Sequence, residues 1–177
     1  MLDTDFRKAM RDSESSGSSN TLLELEDGRR MAGFYQFSDA RLKDFKKETG
    51  KKFTRDEFLR DPALQKEVMD WHEGDIMKYV IDNGLDYYIG QNVGGVDIDP
   101  AALTGMAHLG GRLGMREFLE TGGQYDPADK FGTKISDYGK KFSGLDMYGL
   151  TPSSPRPKLR PGTTSPRPKL RPIGLLD

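Results

Sequence analysis

The chain has 177 residues, 34% of them hydrophobic, a net charge of −1 and no cysteine. That is room for one domain and an appendage. Disulfides, thiol catalysis and Cys-based zinc sites are excluded, and the average charge marks no nucleic-acid or membrane surface. The average hides a split: residues 1–150 hold 21 Lys/Arg and 27 Asp/Glu, a net of −6, and residues 151–177 hold six and one, a net of +5. The start, Met1-Leu2-Asp3-Thr4-Asp5, has no basic stretch followed by an apolar run, so no signal peptide is expected. No apolar stretch nears the roughly 18–20 residues that span a bilayer.

In chain order, Phe6, Ala9, Met10 and Ser13 share one face of a first helix running to about Glu14. Residues 15–37 are rich in Ser and Gly. Within them Leu22–Glu26 and Arg29–Gln36 form a hairpin around Asp27-Gly28, a dipeptide that favours such turns. Ser38 caps a second helix with Leu42 and Phe45 inward. Thr54 and Glu57 have capping-box spacing, in which each side chain satisfies the other's free backbone donor. Asp61-Pro62 opens a long helix through Leu64, Val68, Trp71, His72, Met77 and Val80, and Asn83-Gly84 ends it. Asp99-Pro100 starts another, interrupted at Gly110-Gly111, resumed over Leu113 to Leu119 and closed by Gly122-Gly123. Thr133 to Phe142 make a last short helix. The expected fold is therefore mostly α (α+β), a helical body over residues 1–150 with a small β-hairpin after the first helix.

Residues 151–177 stand apart. Ser154-Pro155-Arg156-Pro157-Lys158-Leu159-Arg160-Pro161 recurs as Ser165 to Pro172, eleven residues on. Proline removes backbone donors and holds its predecessor extended, so a disordered, basic, polyproline-II-like tail is expected. It is either a solubilising end or a docking peptide for an acidic or aromatic groove.

The chemistry rests on two strings: Glu14-Ser15-Ser16-Gly17 and, after a hairpin-length insertion, Gly33-Phe34-Tyr35-Gln36-Phe37. They resemble the lytic transglycosylase and goose-type lysozyme superfamily, where a helix ends in Glu-Ser-x-Gly and a hairpin leads to Gly-x-x-Gln and an apolar residue. The likeness extends to virion-associated peptidoglycan-degrading proteins of tailed phages, in which strings like Gly33–Phe37, Asp61–Gln65 and Ala107–Gly111 follow in this order. It covers about residues 1–143.

The resemblance implies a peptidoglycan-cleaving enzyme, a lytic transglycosylase or muramidase acting on the MurNAc-GlcNAc β-1,4 bond. Glu14 would be its single general acid/base, and no cofactor or metal would be needed. A glycosidic leaving oxygen needs a proton. A carboxyl can supply it near neutral pH when apolar surroundings raise its pKa, and Phe34, Tyr35 and Phe37 are candidates for those surroundings. By the same resemblance Ser15 and Tyr35 face the substrate, and Gln36 either bonds it or braces the loop. His108 stands in the cleft where the family carries Tyr; Leu109 replaces the family's Asn, and Ser16 a frequent Gly. Tyr35 and His108 have core roles as alternatives.

Glu24, Glu26, Asp27 and Asp39 are near in sequence, but the motif singles out none as a second carboxylate. That favours a transglycosylase, in which the substrate's own groups complete the reaction and leave a 1,6-anhydro end. His72-Glu73-Gly74-Asp75-Ile76 lacks the second His of a zinc helix motif. Trp71 is read as core. Gly94-Gly95 and Gly110-Gly111-Arg112-Leu113-Gly114 are read as helix stops and close packing, since neither fits a phosphate loop.

The expected partner is the peptidoglycan glycan strand, with other virion proteins reached through the tail. No specific nucleic acid and no membrane span are expected. The expected location is the virion, with synthesis in the host cytoplasm and action in the periplasm or cell wall. The alternative is a non-catalytic structural virion protein with the same body and a docking tail. Because the tail composition offers nothing to a core, deletion after Leu150 is expected to leave the melting temperature within about a degree, measured by thermal unfolding of the two lengths of chain.

Overall fold

The structure, a computed structural model, describes residues 3–149. The tail and its two repeats lie outside the described residues. Helix α1 (Asp5–Ser15) starts where the Thr4 side chain accepts from Arg7 N at 3.3 Å, and ends where Ser16 turns left-handed at φ 52°. A three-stranded antiparallel sheet follows, β1 (Leu22–Glu24), β2 (Arg30–Ala32) and β3 (Phe37–Ser38), in that order. Leu23 pairs with Met31, and Ala32 with Phe37.

The hairpin thus forms, with two corrections. Its loop is longer than Asp27-Gly28: Gly28 N donates to Leu25 O at 2.9 Å and Leu25 N to Arg29 O at 2.8 Å. The second strand stops at Ala32 rather than Gln36. Left-handed Gly33 (φ 81°) and Gln36 (φ 47°) reverse the chain and create a third strand.

Ser38 caps α2 (Asp39–Thr49), accepting from Arg41 N at 3.2 Å, and Leu42 and Phe45 are buried. The Thr54/Glu57 capping box opens α3 (Arg55–Arg60). Asp61 Oδ1 accepts from Ala63 N and Leu64 N at the head of α4 (Pro62–Asp82). A 3₁₀ turn at Leu85–Tyr88 leads to β4 (Asn92–Val93) and β5 (Val96–Asp97). Helices α5 (Pro100–Glu120) and α6 (Ile135–Phe142) complete the described chain. Helix α5 breaks at Gly111, whose φ of 71° and ψ of 168° are non-helical.

Gly94-Gly95 is neither a helix stop nor a phosphate loop. It is the two-residue turn between β4 and β5, left-handed at both positions, as a tight hairpin requires. The expected close packing is present too. A Cβ on Gly94 would lie 2.8 Å from Gly123 Cα, and one on Gly123 would lie 2.6 Å from Gly94 Cα.

The described residues group into two compact units: residues 3–75 with 146–149, and residues 76–145. The first is built around Phe6, Met10, Tyr35, Phe37, Phe45 and Phe58. The second has its own core, including Ile76, Val80, Val96, Met106, Phe118 and Ile135. Among the described residues no helix is long and apolar enough to cross a membrane.

The glycine contact yields a contrast. Gly123→Ala combines a left-handed backbone with a backbone collision and is expected to cost ~2 kcal/mol. Gly122→Ala, left-handed but in open space, is expected to cost about half that. Urea unfolding of both variants checks the ranking.

Candidate active site

Helix α1 carries the candidate acid. Glu14 follows Met10 by four residues and Arg7 by seven, so a helix of 3.6 residues per turn places it on the same side as those buried residues. It is half-buried and sits in the last turn. The turn after it is tightly closed. The Arg11 carbonyl accepts from the Ser16 N–H, from Gly17 N at 3.1 Å and from the Ser15 hydroxyl at 3.2 Å. Ser15 is buried, and its hydroxyl is turned back onto its own helix.

The Gly33–Phe37 string forms the second half. Gly33 has no room for a side chain: a Cβ there would meet Gln65 Oε1 at 2.5 Å. That oxygen accepts from Phe34 N at 2.7 Å. Gln36 is 7% exposed. Its Nε2 donates to Gly33 O at 2.8 Å and to Thr21 O at 3.2 Å, so it braces the loop, one of its two expected roles. Its Oε1 is buried with no hydrogen-bond partner. A buried acceptor left unsatisfied costs on the order of 1–3 kcal/mol, and together with the left-handed backbone it marks Gln36 as a strained residue.

Tyr35 is fully buried. Its hydroxyl accepts from Arg11 Nη1 at 3.4 Å, and its ring lies 5.9 Å from that of Phe37. Burial raises the Tyr35 pKa, with Arg11 pulling the other way. Of the two roles expected for Tyr35, at the substrate or in the core, the buried ring beside Phe37 takes the core one. Ser15 is likewise taken up by the helix end. His108 is half-buried on α5 in the second unit, whereas Glu14, Ser15, Tyr35 and Gln36 all belong to the first.

Three basic residues that sequence reasoning passed over organise this unit. Arg7, 7% exposed, donates through Nε to Glu73 Oε1 at 2.9 Å and through Nη2 to Glu73 Oε2, and Nη2 lies 2.6 Å from Asp70 Oδ1. Burial pushes the Glu73 carboxyl above the ordinary glutamate range, against the pull of Arg7. Burial also opposes the Arg7 charge, but Glu73 and Asp70 outweigh it and raise the Arg7 pKa. Arg11 grips Asp3. Arg41 lies 4.0 Å over the Trp71 ring, donates to His72 Nδ1 at 2.8 Å and pairs with Asp75 at 2.6 Å.

His72 is thus an acceptor in the core, packed edge-on against Phe37 at 5.2 Å. Trp71 is half-buried, with its Nε1 lacking a partner. The signal for Arg7 was there to be read: a charged residue beside Phe6 on the apolar side of a helix needs a buried counter-charge. No group of three or more His, Cys, Asp or Glu among the described residues could hold a metal ion.

Compared with known proteins, the chain matches no protein-family model, no curated protein and no solved structure.

The buried triad gives a prediction with a definite pH sign. Arg7→Met leaves Glu73 buried and uncompensated and is expected to cost about 3 kcal/mol at neutral pH. A carboxyl whose folded pKa is raised binds its proton more tightly in the folded state, so stability falls as pH rises through that pKa. The deficit of Arg7→Met should be larger at pH 8 than at pH 5, read from urea midpoints at both. A deficit that grew on acidification would contradict the burial of Glu73.

Proposed function

We propose that the protein cleaves peptidoglycan glycan strands at the MurNAc-GlcNAc β-1,4 bond, with Glu14 as the single general acid/base. The observation that carries this reading is that one compact unit holds both a half-buried carboxyl at a helix end and the strained Gln36. These are the two positions on which the motif resemblance turns. The β1–β2 hairpin that lies between them in the chain supports the same reading.

The acidic residues nearby favour the transglycosylase course. Glu24, Glu26 and Asp27 are exposed, and Asp39 is held by Arg30 at 3.1 Å and Arg55 at 2.7 Å. In a one-acid reaction Glu14 gives its proton to the glycosidic oxygen as the C1–O bond breaks. The resulting carboxylate then takes the proton of the sugar's 6-hydroxyl as O6 bonds to C1. The products are a 1,6-anhydro end and a shortened strand, and Glu14 recovers its proton.

The place of action proposed is the virion, with local opening of the cell wall during genome entry. The second reading is a structural virion protein with an inactive body, which the absorption of Tyr35 and Ser15 into the fold favours.

Release of soluble muropeptides from purified Gram-negative sacculi tests both. Glu14→Gln is expected to lower release at least about 100-fold while leaving the melting temperature nearly unchanged. Mass spectrometry should show 1,6-anhydro ends. Equal release by both proteins removes Glu14 from the mechanism. No release by a folded wild type favours the structural reading.

A further inference from the structure

We propose that Arg11 is the positioning residue that joins the two halves of the site, holding the end of the Glu14 helix in register with the Gly33–Gln36 turn. The inference rests on the functional reading above for its catalytic consequence, but not for its geometry.

The backbone of Arg11 serves one half. Its carbonyl takes the Ser15 hydroxyl and the N–H groups of Ser16 and Gly17, so the turn that follows Glu14 closes on this one oxygen. The side chain serves the other half. Its guanidinium donates to the Tyr35 hydroxyl at 3.4 Å and lies 5.7 Å from the Phe34 ring centroid.

Asp3 holds the fork in place, accepting from Nη1 at 2.5 Å and Nη2 at 2.6 Å. The Arg11 side chain is only 13% exposed, against 47% for Asp3. Asp3 therefore covers the cation from the solvent side, and the aromatic pair contacts it from within. The bond to Asp3 is the leading cause that raises the Arg11 pKa, so the charge is permanent.

Helix geometry carries the effect to the acid. Arg11 and Glu14 are three residues apart, a spacing that makes them surface neighbours on one helix. A shift of the guanidinium relative to Tyr35 therefore shifts Glu14 relative to the Gln36 turn. Arginine suits the post because a planar fork can bind a carboxylate with two bonds while its face rests on a ring. Lysine, a point charge, cannot do both. Arg7 anchors the same helix elsewhere, to Glu73 and Asp70 on α4.

The test uses the full chain and four variants: Arg11→Met, Arg11→Lys, Tyr35→Phe and, as control, Arg7→Met. Two readouts are taken well below every melting temperature. The first is the backbone amide spectrum at residues 15–17 and 33–36. Arg11→Met and Tyr35→Phe should move signals in both segments, whereas Arg7→Met should move neither appreciably. The second is muropeptide release. Arg11→Met should lower kcat by about 10–100-fold with KM within twofold, the pattern of a misplaced acid. Arg11→Lys should recover only a minor part, and Arg7→Met should keep kcat within about twofold despite its lower stability.

The proposal is overturned if Arg11→Met disturbs one segment alone, or if its kcat falls no further than that of Arg7→Met. Should wild type and Glu14→Gln release muropeptides equally, the functional reading fails, and the spectra alone decide whether Arg11 couples the two segments.

Discussion

The Gln65 side chain has no exposure to solvent, so its polar atoms must find partners inside the protein. Oε1 takes the Phe34 N–H, and Nε2 is shared among the carbonyls of Ser19, Phe58 and Leu59. Three separate pieces of chain are thereby fixed to one point on α4: the loop after α1, the end of α3, and the turn that carries Gln36. The same oxygen leaves no space for a side chain at Gly33. The left-handed turn, the early end of β2 and the short third strand follow from that constraint. Gln36 continues the arrangement by tying Thr21 to Gly33, so two glutamine amides brace the Ser/Gly-rich segment alongside its few buried apolar side chains.

Charge is handled in the first unit by pairing in place. Arg7, Arg11 and Arg41 each combine a carboxylate partner with little exposure, and two of them also rest on aromatic rings. Buried pairs of this kind add little net stability over a well-packed apolar core, but breaking one strands a charge. Their value here is geometric, since each guanidinium fork fixes direction as well as distance. Helix α1 is held at Arg7 by α4 and at Arg11 by Asp3 and the Gly33–Phe37 turn. The end of the helix, where the candidate acid Glu14 sits, is held through Arg11 by bonds that do not use Glu14 itself.

Much of this fold was legible in local chemistry. Ser38, Thr54 with Glu57, and Asp99 announced helix starts because a capping side chain bonds to a backbone donor two or three residues away. Gly84, Gly111 and Gly123 announced stops because a left-handed backbone needs no distant partner. The candidate acid was legible for a similar reason: Glu14-Ser15-Ser16-Gly17 is a contiguous helix end. Less visible was what Tyr35 would do. An aromatic beside a glycine fits a cleft wall or a core equally, and the choice depends on Arg11, 24 residues away in the chain.

The sequence by itself determined where most helices start and stop and that the candidate acid Glu14 lies at a helix end, because capping, turn geometry and periodicity act over a few residues. Only the tertiary structure decided that Gln65 anchors the Gly33 turn, that Arg11 spans both strings, that Arg7 is buried against Glu73, and that the body divides at Asp75. Those outcomes depend on which buried polar group meets which partner. That pairing is selected by the cost of leaving either one unsatisfied, and it has no signature in residues read one stretch at a time.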